Sequence, residues 1–178
     1  MKIKNALLAG FLAFNPFSPV LAEPGWFFGV GGGVVGFDRA GDTIQPANLV
    51  LRGGLALNEF VEVGVEASQT EADDKVGGVD YDVDSHFIFL RLNLDLGETL
   101  GMYAMVGPTS IELTGRTAGI PGSADDRGVG FGVGARFRRS GRSALFVDYL
   151  RYYDGDSFDG APGSVLVEGL NAGFFSRF

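Results

Sequence analysis

Along residues 87–97 the chain reads FIFLRLNLDLG, with Ile88, Leu90, Leu92, Leu94 and Leu96 on alternate positions and Arg91, Asn93 and Asp95 threaded between them. Successive side chains of a strand point to opposite faces, so this period of two predicts a strand with one aliphatic and one polar face. Similar alternation can be drawn eight times, over roughly 26–37, 48–58, 60–68, 81–96, 101–113, 128–138, 143–153 and 165–178. These segments run to about ten residues, the length a tilted strand needs to cross a bilayer, whereas ordinary strands average about five or six. Beyond the N-terminal 22 residues, no 3.6-residue period is long enough to count as a helix. The pattern predicts an all-β chain.

The connections alternate in length. Those after the second, fourth and sixth segments are short, at 57–60, 96–101 and 138–143; those after the first, third, fifth and seventh are longer, at about 38–47, 69–80, 114–127 and 154–164. Short turns then share one end and long loops the other. This is the layout of an eight-stranded antiparallel up-and-down transmembrane β-barrel, with turns in the periplasm and loops outside the cell. A soluble sandwich has no reason to keep it.

Sorting the faces with that register gives an apolar set and a polar set. The apolar set holds Trp26, Phe28, Val30 and Val34, then Leu49, Leu51, Leu55 and Leu57, then Val61, Val63, Val65 and Ala67. It continues through the leucines above, Tyr103, Met105, Ile111 and Leu113, then 129–137 at odd positions, and Leu170, Ala172, Phe174 and Phe178. The opposite set carries Arg52, Glu62, Glu66, Arg91, Asn93, Asp95, Glu112, Arg136, Asp148, Asn171 and Arg177. A lipocalin-like soluble barrel would put these ions in water and fill its cavity with the apolar set. The length of the segments and the layout of the turns favour the reverse, with aliphatic side chains against lipid.

Ions enclosed in a narrow barrel must be paired, because each unpaired one costs several kcal/mol. The four arginines Arg52, Arg91, Arg136 and Arg177 are therefore expected to meet Glu62, Glu66, Asp95, Glu112 and Asp148 as an interior ion-pair network that plugs the lumen. Arginine suits this task because its planar fork satisfies a carboxylate on two edges. In the seventh segment Tyr149 and Arg151 compete for the outward face. Trp26, Phe27, Phe28, Tyr103, Tyr149, Tyr152 and Tyr153 are expected as aromatic girdles at the two interfaces.

The first 22 residues read as a secretory signal: Lys2 and Lys4, an apolar run from Ala6 to Phe14, and Val20-Leu21-Ala22 before the cut. About nine apolar residues fall short of a spanning helix. Residues 23–178 then form one barrel domain. The sequence has no cysteine, so neither disulfides nor thiolate metal sites contribute. Its net charge of −8, which becomes −10 once the two leader lysines leave, argues against nucleic acid as a partner.

Three stretches resemble a known family: WFFGVGGGVVGF near the start, SALFVDYLRY, and the terminal LNAGFFSRF. The chain is similar in pattern to the small eight-stranded outer-membrane proteins of Gram-negative bacteria, the OmpA membrane domain and OmpX type. The resemblance implies location in the bacterial outer membrane and contact with its lipids and lipopolysaccharide. It also implies delivery by periplasmic chaperones and the outer-membrane assembly machinery, and a monomer. In that family the last strand is read by the assembly machinery through a polar residue, a glycine and terminal hydrophobic positions. Asn171, Gly173 and Phe178 match this assembly signal; Ser176 departs from it.

Some barrels of this kind are lipid A deacylases or acyltransferases that use Ser and His. Ser85 and His86 are adjacent, so they point to opposite faces and cannot serve as nucleophile and base. No catalytic residue, cofactor or resident metal is expected. The loops are acidic, and DGDSFDG at 154–160 approaches a calcium loop, but its third Asp falls one place late and no Glu closes it. Solvated loops and divalent bridges from these carboxylates to lipopolysaccharide phosphates both stand. The basic turn of Arg138, Arg139 and Arg142 faces the periplasm or anionic headgroups. A structural, envelope-integrity or adhesive surface-loop role is the expectation, with a narrow porin-like channel or a lipid A-modifying enzyme as alternatives.

Overall fold

Alternating side chains on long segments give long strands, and the computed structural model consists almost entirely of them. It describes residues 24–39, 42–70, 75–76, 79–117, 120–140 and 142–178. The strands are β1 (Gly25–Arg39), β2 (Asp42–Ile44), β3 (Ala47–Ala56), β4 (Val61–Thr70), β5 (Lys75–Val76), β6 (Val79–Asp95), β7 (Leu100–Thr117), β8 (Ile120–Ser140), β9 (Ser143–Phe158) and β10 (Ala161–Arg177). Eight long strands form the wall in the order β1, β3, β4, β6, β7, β8, β9, β10, every pair antiparallel. β10 returns to β1, with Val30 opposite Phe174 and Val34 opposite Leu170, so the wall of eight long strands closes on itself and each of them is paired on both sides. β2 and β5 are short ribbons on β1 and β6. The leader of the sequence reading, 1–22, lies outside the described residues.

The wall has the orientation that the alternation demands in lipid. Ile88, Leu90, Leu92 and Leu94 are exposed while Phe89, Arg91 and Asn93 between them are buried. The aliphatic belt continues around the barrel through Val30, Leu51, Val65, Val133, Val147 and Leu170. Facing water, such a belt would be insoluble; against hydrocarbon it lies in its own solvent.

The turn end is built from short local devices. At Asn58 the side-chain Oδ1 accepts hydrogen bonds from Phe60 N and Val61 N, both at 2.8 Å, which turns β3 into β4. Between β6 and β7, Gly97 adopts φ +146°, and the Leu96 amide donates to Leu100 O at 2.9 Å.

At the opposite end the sequence reading expected long loops, and over much of their length the strand pairing continues. β7 and β8 stay in register as far as Thr117 opposite Ile120, and β9 and β10 meet at a two-residue turn, Asp159-Gly160, with φ of 49° and 71°. Positive φ at both central residues is the turn that Asp-Gly favours in a hairpin. Alternation is invisible here because both faces of a strand beyond the membrane can meet water.

Candidate functional site in the barrel lumen

The interior is layered along the axis. Farthest toward the loop end lies an apolar cap that includes Phe37, Ile44, Val83, Ile111, Phe158 and Val165. Phe37 and Tyr153 both stand edge-on to Phe158, at centroid separations of 5.7 and 5.5 Å.

Below the cap is a first ionic tier. Arg52 on β3 pairs with Glu66 directly across on β4, and its Nη2 donates across the lumen to Asp148 Oδ1 on β9 at 3.0 Å. Phe146 stacks 4.5 Å below the guanidinium. Both carboxylates are satisfied further by phenols: Tyr103 OH donates to Asp148 Oδ2 at 2.6 Å, and Tyr152 OH to Glu66 Oε1 at 2.7 Å. Asn48 Nδ2 donates to Ser68 Oγ at 2.8 Å and to Asn171 Oδ1 at 3.0 Å, which ties β3, β4 and β10 together. Arg52, Glu66, Asp148 and Asn171 are each almost fully buried.

A second tier lies nearer the turn end. Glu62 on β4 is buried and bridges Arg91 on β6 and Arg177 on β10. The Arg91 guanidinium sits in an aromatic box, 4.9 Å from the Phe27 ring, 5.1 Å from Tyr103 and 5.3 Å from Phe175. Arg136 on β8 donates to Asn93 Oδ1 at 3.1 Å and to Asp95 Oδ1 at 2.6 Å, and Arg138 takes the other Asp95 oxygen.

The expected network residues thus fall into two clusters, with one exception. Glu112, expected in the interior, is exposed on the outward face, cross-strand from Asp84 and Asp125. The cause is the register of β7, which is one residue away from the reading of the sequence. Tyr103, Met105 and Ile111, expected against lipid, are buried inside, while Met102 and Val106 are exposed. Both faces of that strand are apolar, so hydrophobicity could not choose between them; a phenol within reach of Asp148 could. Three further expected girdle aromatics, Phe27, Tyr152 and Tyr153, are also buried, whereas Trp26 and Phe28 are exposed. On β9, Tyr149 and Arg151 share the outward side: the Tyr149 hydroxyl donates to Glu168, and Arg151 lies 5.5 Å from the Phe131 ring centroid.

The aromatic fillers were not read from the sequence. Their signal lies in the glycines that face them: a Cβ at Gly134 would sit 2.4 Å from Tyr103 Cζ, and one at Gly64 would sit 2.7 Å from Phe89 Cζ. A glycine on the inner face of a barrel strand marks where a neighbour's large side chain crosses the lumen.

The other candidate groups stay apart. Ser85 is buried inside and His86 is exposed outside, on opposite faces of β6. Among the described residues no group of three or more His, Cys, Asp or Glu is placed to hold a metal ion. Asp154 pairs with Arg151 at 3.0 Å. Asp126, at the loop end, accepts from Arg127 N at 2.7 Å, Tyr153 OH at 2.9 Å and Asp159 N at 3.2 Å. The Arg127 amide foremost, then the Tyr153 hydroxyl and the Asp159 amide, hold its carboxyl below the ordinary aspartate value. Of the assembly-signal residues, Asn171 is buried in the first tier, Gly173 leaves no room for a Cβ beside Val30 O and Gly31, and Phe178 is exposed.

A closed wall of eight long strands, apolar outside and ionic within, defines a bacterial outer-membrane β-barrel. The model of the outer membrane protein beta-barrel domain matches residues 6–178, and the chain belongs to that family. Solved structures agree on the fold. The chain is similar to Neisserial surface protein A, with a TM-score of 0.76 at 12% identity, over 86% of this chain and 97% of that one. It is similar to Ail, the attachment invasion locus protein of Yersinia pestis, with a TM-score of 0.61 at 16% identity, over 86% and 99%. The N-terminal β-barrel domain of Pseudomonas aeruginosa OprF follows at 0.56 and 14%, over 84% and 97%. No curated protein matches the sequence.

Proposed function

We propose that this barrel is a sealed, monomeric element of the outer membrane whose activity is structural or adhesive and is exerted by its loop end, outside the cell. The observation that carries this reading is the filled lumen. Two ionic tiers, an aromatic box and an apolar cap lie in series, so a conducting path would require the Arg52–Asp148 and Arg91–Glu62 pairs both to break. Eight strands leave an interior only about wide enough for side chains. The channel reading has no such observation behind it. Catalysis on lipid A has none either, since Ser85 and His86 are separated by the wall.

The loop end sets the sign of any surface ligand. Glu112, Asp125, Asp154, Asp156 and Asp159 are exposed there, and like charges placed opposite one another, as Asp84, Glu112 and Asp125 are, cost stability. Ail was solved with sucrose octasulfate, a heparin analogue and a polyanion. The acidic rim here would repel such a ligand, so a cationic surface is the partner class it suits. Residues 1–22 act as the export leader, and Asn171, Gly173 and Phe178 present the last strand to the assembly machinery before the barrel closes.

Planar-bilayer recording of the refolded barrel tests the seal. No stable unitary steps are expected at moderate voltage; sustained open steps would overturn the reading.

A further inference from the structure

The two ionic tiers differ in what they leave over. In the loop-end tier one cation, Arg52, meets two carboxylates, Glu66 and Asp148, and its guanidinium is fully engaged. In the turn-end tier four cations, Arg91, Arg136, Arg138 and Arg177, share two carboxylates, Glu62 and Asp95. Every oxygen of those carboxylates is already held by a guanidinium. The groups there without a hydrogen-bond partner are the donors Arg91 Nε and Nη2, Asn93 Nδ2, Arg136 Nε and Arg177 Nε, against one acceptor, Glu62 Oε2, which faces Arg91 Nη2 as an ion pair. Arg91, Asn93 and Arg136 are more than nine-tenths buried.

A buried donor left unpaired costs stability, and an uncompensated buried charge costs more. A water molecule offers lone pairs but carries no charge and brings two donors of its own, so it leaves the excess of cations uncompensated. An acceptor that carries negative charge and donates nothing answers both deficits. The donors belong to one ring of side chains: Glu62 joins Arg177 to Arg91, Asn93 lies two residues from Arg91 on the same face of β6 and binds Arg136, and Asp95 joins Arg136 to Arg138. A cavity of about 270 Å³ opens at this end, with Asn58, Arg142, Arg177 and Phe178 in its walls, and Arg177 is the member of the group that it reaches.

We propose that the turn-end half of the lumen is a binding site for a small inorganic anion of chloride size and charge, held by Asn93 Nδ2 and the free guanidinium N–H groups of Arg136 and Arg177 beside Arg91. The anion completes the charge balance of the tier and enters by the arginine-lined mouth. Nothing of this requires the lumen to conduct, because the loop-end tier and the cap stay closed above it.

The test uses the folded full barrel in zwitterionic micelles at constant ionic strength, with gluconate exchanged stepwise for chloride or bromide. The melting temperature should rise saturably with halide, by about 2–4 °C for each kcal/mol of linked binding. Asn93→Asp keeps the oxygen that accepts from Arg136, removes the unpaired donor and supplies a fixed negative charge. It should raise the melting temperature in gluconate and cut the halide response several-fold. A rise that is linear in halide and equal in both proteins would mean non-specific salt stabilisation and would overturn the site. A response to phosphate or sulfate alone would overturn the assignment to a small monovalent anion. Should Asn93→Asp not fold, bromide anomalous scattering from crystals of the unaltered barrel decides, with a peak between Asn93 and Arg136 expected and its absence fatal.

Discussion

The loop-end and turn-end tiers of the lumen are made from the same residue types yet stand in opposite balance. Around Arg52, negative charge exceeds positive, and the surplus is absorbed by hydroxyls: Tyr103 and Tyr152 each give a proton donor to a carboxylate. Around Glu62, positive charge exceeds negative, and part of the surplus is absorbed by π faces, with Phe27, Tyr103 and Phe175 about the Arg91 guanidinium. Tyr103 serves both, its hydroxyl in one tier and its ring in the other. A single buried pair is a poor source of stability, because desolvation offsets attraction. Each tier is instead an arrangement in which removing the minority charge strands the rest.

The opposite balance predicts which member of each tier is indispensable. In the turn-end tier it is the carboxylate: Glu62→Gln removes the partner of both Arg91 and Arg177 and should cost about 3–5 kcal/mol of unfolding free energy, read by urea titration in lipid vesicles. Next comes Tyr152→Phe, which takes a donor from buried Glu66 and should cost about 1–3 kcal/mol in the same titration. Gly134→Ala drives a methyl group into the Tyr103 ring and should cost a similar amount, about 1–3 kcal/mol, with the Tyr103 environment shifted in near-ultraviolet circular dichroism. The smallest effect is local and lies outside the membrane. Because the folded Asp126 carboxyl titrates below its unfolded value of about 3.9, its contribution is present above that pH and lost as pH falls through the folded value. The Asp159 amide resonance should therefore hold steady from neutral pH to about 4 and move below it, and Asp126→Asn should abolish that movement.

The lipid-facing wall was legible in the sequence because lipid is a uniform solvent. Ile88 through Leu96 had to be aliphatic at each outward position, and one polar residue among them would have been conspicuous. The lumen is a mixed environment, and there the alternation lost its meaning. Tyr103 and Met105 are as apolar as Met102 and Val106, so β7 could be read in either register; misreading it carried Glu112 to the wrong side. The charged members of the two tiers other than Arg138, which the sequence shows only as part of the basic turn, were visible because an ion on a transmembrane strand has few places to go. Their partition into two unequal tiers was not visible, since it depends on depth along the axis and on which strands face each other across the lumen. At the loop end, Asp159-Gly160 carries a hairpin signal, but it closes the acidic run DGDSFDG, whose pattern equally suggests a metal loop.

The unequal balance of the two tiers is tested most directly by comparing Arg52→Gln with Arg136→Gln, refolded into the same bilayer and unfolded under the same conditions. Loss of Arg52 leaves Glu66 and Asp148 buried without a cation and should cost about 3–5 kcal/mol. Loss of Arg136 relieves a tier already rich in cations, while Arg138 still holds Asp95, and should cost only the lost hydrogen bonds, about 1–2 kcal/mol. Equal costs for the two substitutions, or a larger one for Arg136→Gln, would contradict the account.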